Sequence, residues 1–239
     1  MKYNFVYDKE FRYRFAELTK EEINVVLATI IGRHNAIFWG YKPERLVNAI
    51  EKLCDCPFVN VKEDGYAEKA NGGVLYTPTL DSFDVGQQKD ICAISQNGVK
   101  ELQVVATCDM GVPAVKIIPN LLGNFDIVYK CKLPVADAVE NMNETWDKLR
   151  DKVSRAIRYK NTLHSGRHIT SDFTMVKTYW NRMSFLQRYI SAKEKNETLA
   201  LKIAKVARSV SDITDESMTS DYEWDIAKTW YDEGVENEI

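Results

Sequence analysis

No stretch of this chain stays apolar for anything near the ~20 residues a membrane-spanning helix needs, so neither a membrane anchor nor a membrane partner is expected. The opening Met1-Lys2-Tyr3-Asn4 has no continuous apolar run after a basic start, and a secretory leader is not expected either. Cysteine is sparse and unpaired in pattern. Cys54, Cys56, Cys92, Cys108 and Cys131 are odd in number and scattered, unlike the framework of a small secreted protein. Reduced thiols and a cytoplasmic location are the expectation. Zinc-site spacing is missing as well: Cys54-Asp55-Cys56 has one intervening residue and no second pair, and Gly166 weakens any helix that would align His164 with His168. No metal and no cofactor are expected. Cys108 beside Asp109 lacks a sequence neighbour that would act as a base or cation, and reads as a buried apolar thiol. Internal repeats and low-complexity linkers are absent.

What is present is apolar material in quantity. Of 239 residues, 45% are hydrophobic, enough for one core or a core with a smaller lid. A net charge of -3 conceals an uneven distribution: residues 148–208 carry 15 basic and 4 acidic side chains, whereas residues 209–239 carry 1 and 10. Such a split can steer a partner to one face.

Thr19 followed by Glu22 reads as a capping box, and Ile23, Val26, Leu27 and Ile30 recur on one helical face up to Gly32. A short apolar run from Asn35 to Trp39 ends at Gly40, and Pro43 opens a second helix with Leu46, Ala49, Ile50 and Leu53 on one face. Further strands are expected at residues 58–61, 74–76, 102–106 and 125–129, separated by segments long enough for helices. Alternation of this kind predicts a largely parallel sheet covered on both faces. After Pro134 the strand signal ends. Helices are expected at about 143–163, 171–191, 197–211 and 218–231, broken at His164-Ser165-Gly166, at Lys195-Asn196 and near Asp215. The domain reading is therefore 1–134, an α/β domain, and 135–239, an all-helical lid. Trp224, Ile226, Ala227 and Trp230 mark the last helix as one docked by its aromatics.

Five short segments in one order carry a resemblance. Gly32-Arg33-His34-Asn35-Ala36-Ile37-Phe38-Trp39-Gly40 resembles the segment leading into the phosphate loop of AAA+ ATPases of the magnesium-chelatase, MoxR and ComM branch. Gly72-Gly73-Val74-Leu75-Tyr76 resembles that branch's Gly-Gly-Val-Leu-Phe strand, and Val104-Val105-Ala106-Thr107 stands where its sensor strand belongs. Asn120-Leu121-Leu122-Gly123-Asn124-Phe125-Asp126-Ile127 is similar to its Leu-Leu-Asp-Arg-Phe-Asp-Ile element. Lys205-Val206-Ala207-Arg208-Ser209-Val210-Ser211-Asp212 is similar to its Arg-Val-Ala-Arg-Thr-Ile-Ala-Asp lid helix. The resemblance covers roughly residues 19–231 and implies a P-loop NTPase-like (AAA+) α/β domain followed by a helical lid.

It also makes the departures informative. Phosphoryl transfer needs backbone donors around the phosphates, a lysine, a magnesium ligand, a base and usually an arginine finger. The phosphate loop places Gly, Lys and Ser/Thr at the start of its helix. In Gly40-Tyr41-Lys42-Pro43-Glu44-Arg45-Leu46-Val47 only the first glycine remains. Arg45, Leu46 and Val47 stand at the Gly, Lys and Ser/Thr places, and Pro43 removes a donor amide. A shorter loop using Lys42 would still lack the hydroxyl. Gly40, Lys42 and Arg45 are the vestigial nucleotide positions. The strand that should end in Asp-Glu ends in Pro78-Thr79; the sensor Asn corresponds to Asp109, the arginine finger to Asn124 and the lid arginine to Thr198.

Loss at five signature positions implies a non-catalytic AAA+-like subunit, with no catalytic residues, that docks on, caps or regulates a partner assembly. The expected partner is an intact AAA+ ATPase or a second copy of the chain, since magnesium chelatase itself pairs a degenerate ATPase subunit type with an active one. The alternative is a nucleic-acid-binding accessory protein. Lys148, Lys152, Arg155, Arg158, Lys160, Arg167, Arg182 and Arg188 can contact phosphates or an acidic protein surface, with Tyr159, Tyr179, Trp180 and Tyr189 as stacking candidates. Against it stands the plain reading of a solvated helix face over core aromatics. A divergent working ATPase is the third reading.

Overall fold

The computed structural model describes residues 18–53, 56–96, 102–109, 111–133, 183–214 and 219–235. The Thr19 hydroxyl accepts the Glu22 N–H at 3.2 Å, and the Glu22 carboxylate accepts the Thr19 N–H at 2.8 Å. The expected capping box thus forms, and it opens helix α1, Lys20–Gly32. Alternation of strands and helices follows as β1 (Ala36–Gly40), α2 (Glu44–Leu53), β2 (Phe58–Asn60), α3 (Tyr66–Lys69) and β3 (Val74–Thr77). A 3₁₀ turn at Leu80–Ser82 leads to α4 (Val85–Gln96), β4 (Gln103–Cys108), the short α5 (Pro113–Lys116) and α6 (Pro119–Leu122), and β5 (Ile127–Cys131).

The strands form a single five-stranded sheet in the order β2-β3-β4-β1-β5, and every pair is parallel. Parallel strands buried on both faces read as continuous apolar runs, as these do. One face is a cluster in which Ile37, Trp39, Val104, Ala106 and Val128 meet Ile91 of α4 and Leu121 and Leu122 of α6. The alternate residues Ala36, Phe38, Val105, Ile127 and Tyr129 are buried but lie outside that cluster, so they point to the other face. There α1 touches both α2 and β5. The parallel sheet with helices on both sides is an α/β arrangement, as the alternation in the sequence predicts.

The fifth strand begins two residues later than its sequence predicts. Asn124 and Phe125 donate their N–H groups to the carbonyls of Leu121 and Leu122 at 2.9 and 3.1 Å, which holds them in a turn while the Phe125 ring enters the core. Asp126 and Ile127 then both donate to Asn35 O, and the strand starts from that anchor.

Three helices are described after residue 182: α7 (Met183–Lys195), α8 (Glu197–Thr214) and α9 (Asp221–Val235). The expected break at Lys195-Asn196 is real, with Asn196 Oδ1 accepting the Leu199 N–H at 3.0 Å as a cap. Ser220 starts α9 in the same manner: its N–H donates to Glu223 at 2.7 Å, and its hydroxyl accepts the Tyr222 N–H at 3.3 Å. Two compact units result, 1–142 with 230–239 and 143–229. Residues 230–239 group with the sheet in this division, whereas the sequence alone leaves them with the lid.

Candidate functional site

In an open parallel sheet, a ligand crevice lies at the carboxyl ends of strands, where the direction of chain progression reverses. From β1 the chain crosses to the far edge at β2, then returns through β3 and β4 and passes over β1 to β5. Right-handed crossovers put the helix after β1 and the helices after the other strands on opposite faces. The reversal therefore falls between β1 and β4. The loop after β1 holds Gly40, Tyr41, Lys42 and Pro43, and the loop after β4 begins at Asp109.

Gly40 is required where it stands. Its φ is +92°, and a Cβ there would lie 2.6 Å from Cys131 O. Only residues 41 to 43 separate it from α2, and two of the three have no N–H to offer a ligand. Tyr41 N–H donates to Cys131 O at 2.9 Å, Arg45 N–H to Lys42 O at 3.2 Å and Leu46 N–H to Pro43 O at 3.1 Å. Pro43 has no N–H to offer. A helix start next to a strand is otherwise a ready anion site, because its first N–H groups point outward with the dipole behind them. Here that opening carries Glu44 in the first turn of α2, whose charge raises Asp109 and Tyr76 and opposes an anion there.

The side chains at the loop's key positions face inward. Leu46 is 0% and Val47 2% exposed, so both belong to the core. Arg45 pairs with Glu22, Nη2 to Oε1 at 2.7 Å, in surroundings where the two side chains are 10% and 1% exposed. The carboxylate that completes the α1 capping box thus also neutralises Arg45. Lys42 is exposed, in left-handed conformation at φ 45°, with Nζ 5.4 Å from the Tyr41 ring centroid.

Acidic groups dominate the rest of the rim. Asp109 is exposed, and its N–H reaches both oxygens of the buried Asp81 at 3.2 Å. Partial burial, then Glu44 and Asp81, raise the Asp109 carboxyl above its ordinary pKa. Tyr76, on the neighbouring strand, is raised by burial and by Glu44, Asp109 and Glu51, against a hydrogen bond with Thr107 that lowers it. Thr107 Oγ1 accepts the Thr79 N–H at 3.1 Å. Among the described residues no group of His, Cys, Asp and Glu side chains could hold a metal ion. The Cys108 thiol is buried and raised by burial and by Asp81, and Cys131 is pushed up to about 12 by burial and Glu22, so neither is a nucleophile at neutral pH.

The other positions singled out in the sequence are dispersed. Asn124 donates to Ser95 Oγ at 2.8 Å and contacts Cys92 Sγ, which ties the turn before β5 to α4. Thr198 is exposed in the first turn of α8. Arg188 is exposed and ion-paired with Asp225, and Tyr189 is buried edge-on to Trp224 at 6.3 Å, a core contact. Lys148, Lys152, Arg155, Arg158, Lys160, Arg167 and Arg182, with Tyr159, Tyr179 and Trp180, lie outside the described residues. Sequence reasoning missed Glu44 and Asp81. Glu44 carried a signal, an acid at a helix start beside a proline; Asp81 joins Asp109 through the fold alone.

The parallel sheet and its helix layers define the class, an α/β fold. A full-length MCM homologue from Methanopyrus kandleri shares it with a TM-score of 0.54 and 17% sequence identity. The match covers 95% of this chain and 59% of that one, so the chain spans little more than half the length of its structural neighbour. Identity at that level shows the fold alone. No family model and no curated protein matches the chain. Among the described residues no helix is long and apolar enough to cross a membrane.

Proposed function

We propose that this chain is a catalytically inactive AAA+-like protein of the magnesium-chelatase, MoxR and ComM type, acting as a binding, capping or regulatory subunit of a partner assembly. The turn after β1 carries the reading. Tyr41 has its N–H bonded to Cys131 O and Pro43 has none, Leu46 and Val47 lie in the core, and Glu44 and Asp109 bring negative charge to the same end of the sheet. Each feature opposes nucleotide binding by a different route: fewer donors in the loop, no lysine or hydroxyl at the places of Leu46 and Val47, and like-charge repulsion. A domain without its chemistry keeps its surfaces, so the expected partner is an intact AAA+ ATPase or another copy of this chain.

Isothermal titration with Mg-ATP tests the reading. No binding in the micromolar range is expected, for the wild type and for Lys42→Ala alike. Micromolar affinity that Lys42→Ala abolishes would overturn it and favour a divergent working ATPase.

Charge supports a second reading, a nucleic-acid-binding accessory protein, since residues 148–208 carry 15 basic against 4 acidic side chains. In it Arg155 and Arg158 contact phosphates, while Arg188, already paired with Asp225, contributes less. Arg155→Ala with Arg158→Ala then flattens the salt dependence of single-stranded DNA binding. A gel shift without binding at low salt removes this reading.

A further inference from the structure

We propose that Asn71-Gly72, in the turn between α3 and β3, is a site of spontaneous covalent modification, where the asparagine side chain closes onto the main chain and reopens as aspartate or isoaspartate. An Asn-Gly pair offers such a closure little steric resistance, because the attacking nitrogen belongs to a residue without a side chain. The fold leaves both reacting groups accessible. Asn71 is exposed, and among the described residues its side-chain amide has no hydrogen-bond partner. The Gly72 N–H likewise has no acceptor there, whereas the amides on either side are held: Asn71 N–H donates to Glu68 O at 3.2 Å and Gly73 N–H to Ala70 O at 2.9 Å. Gly72 stands at φ +75°, and a Cβ built there would meet nothing within 4 Å, so the main chain has room to rotate at this point.

The reaction balances with water alone. The Gly72 nitrogen attacks Asn71 Cγ, the new N–Cγ bond closes a cyclic imide, the Cγ–Nδ2 bond breaks, and ammonia leaves with the Gly72 proton. Water then opens the imide at either carbonyl, giving aspartate or an isoaspartate whose main chain runs through the β-carbon. Closure needs the Asn71–Gly72 peptide plane to rotate, and the Gly73 to Ala70 turn bond resists that rotation. Exposed turns of this kind open at small cost in free energy.

The residues that follow carry the change into the sheet. Gly73 is packed so closely that an added Cβ would lie 2.1 Å from Pro57 O. Val74 N–H donates to that same carbonyl at 2.8 Å, and Gln103 N–H donates to Gly73 O at 3.0 Å. These bonds set where β3 begins between β2 and β4. Isoaspartate adds a methylene to the main chain just before them, so the register of β3 is disturbed at its first bonds. The same strand runs on through Tyr76 toward the acidic crevice.

The full chain is held at mildly alkaline pH, digested with trypsin after increasing times and read by mass spectrometry, beside a synthetic peptide of residues 70–89. Trypsin separates this site from Asn97-Gly98, the other Asn-Gly pair of the chain, which lies outside the described residues. Conversion of residues 70–89 in the folded chain is expected to run within roughly tenfold of the peptide's rate, to quicken as pH rises, and to vanish in Asn71→Gln. In the converted chain the Val74 and Gln103 amides are expected to exchange hydrogen roughly tenfold faster than before. A folded-chain rate more than about tenfold below the peptide's overturns the site. Unchanged exchange at Val74 and Gln103 after conversion overturns its effect on β3.

Discussion

The two ends of the sheet are built on opposite plans. At the amino end, polar side chains find partners within the fold. Asn35 Oδ1 accepts the Val104 N–H at 2.8 Å and its Nδ2 donates to Asn124 O at 3.1 Å, tying β1 to β4 and to the turn before β5. Gln103 Nε2, buried, donates to the carbonyls of Thr29 at 2.9 Å and His34 at 2.7 Å, and His34 Nδ1 lies 3.3 Å from Asp126. At the carboxyl end, Glu44, Asp81 and Asp109 gather at the crevice, and Arg45 at the start of α2 is held by Glu22. The motifs that resemble the AAA+ branch most closely, around His34-Asn35 and Asn124-Phe125-Asp126, meet at the amino end. They build the fold. Of the positions that differ, Leu46, Val47, Thr79 and Asp109 follow the carboxyl ends of strands, whereas Asn124 lies in the turn before β5 and Thr198 in α8.

The sharpest way to break this contrast is to remove Glu22. If Arg45 serves the fold, Glu22→Ala removes its ion pair and the Glu22 half of the capping box, at a cost of about 3–5 kcal/mol. At this chain length that lowers the melting temperature by about 10 °C, which differential scanning calorimetry reads directly. An unchanged midpoint would show Arg45 to be free for another role. Asn35→Ala comes next. It strips a partner from the buried Val104 N–H and from Asn124 O and is expected to cost about 2 kcal/mol, measured by urea unfolding. A loss well below that would mean the amino end tolerates gaps as the carboxyl end does.

The smallest effect has the opposite sign. Asp109 has its pKa raised by partial burial, Glu44 and Asp81, so the folded state disfavours its ionised form. That penalty is present above the folded pKa and fades as pH falls through it. Asp109→Asn is therefore expected to melt slightly higher than the wild type at neutral pH, with the two converging toward acid. Convergence in the alkaline direction, or a lower midpoint for the variant at neutral pH, would refute the repulsive rim.

Local signals were legible because they act over a few residues. Thr19 and Glu22 stand three apart, the spacing a capping box demands, and Leu46, Ala49, Ile50 and Leu53 announce the buried face of α2 by their period. The strands after β1 were readable as apolar runs, and parallel pairing followed from the alternation with helices. The start of β5 was misplaced, because the run Phe125-Asp126-Ile127 does not reveal that its first two residues are held in a turn by Leu122 O and Asn35 O. The loss of the phosphate loop was readable at Leu46 and Val47 by residue type. That Cys131 O closes the Tyr41 amide, and the Lys42 and Pro43 carbonyls the Arg45 and Leu46 amides of α2, was not.

By itself the sequence determined α1, α2 and the apolar runs that become strands, the lysine, hydroxyl and acid pair missing from the motifs it resembles, and the uneven charge, since each depends on residue identity and near spacing. Tertiary structure decided that Arg45 answers Glu22 across 23 residues, that Asp81 and Asp109 share a rim with Glu44, and that Gly234 lies against Val128. Those pairings come from which strands and helices become neighbours, and chain closure over long separations leaves no periodic trace in the residues that meet.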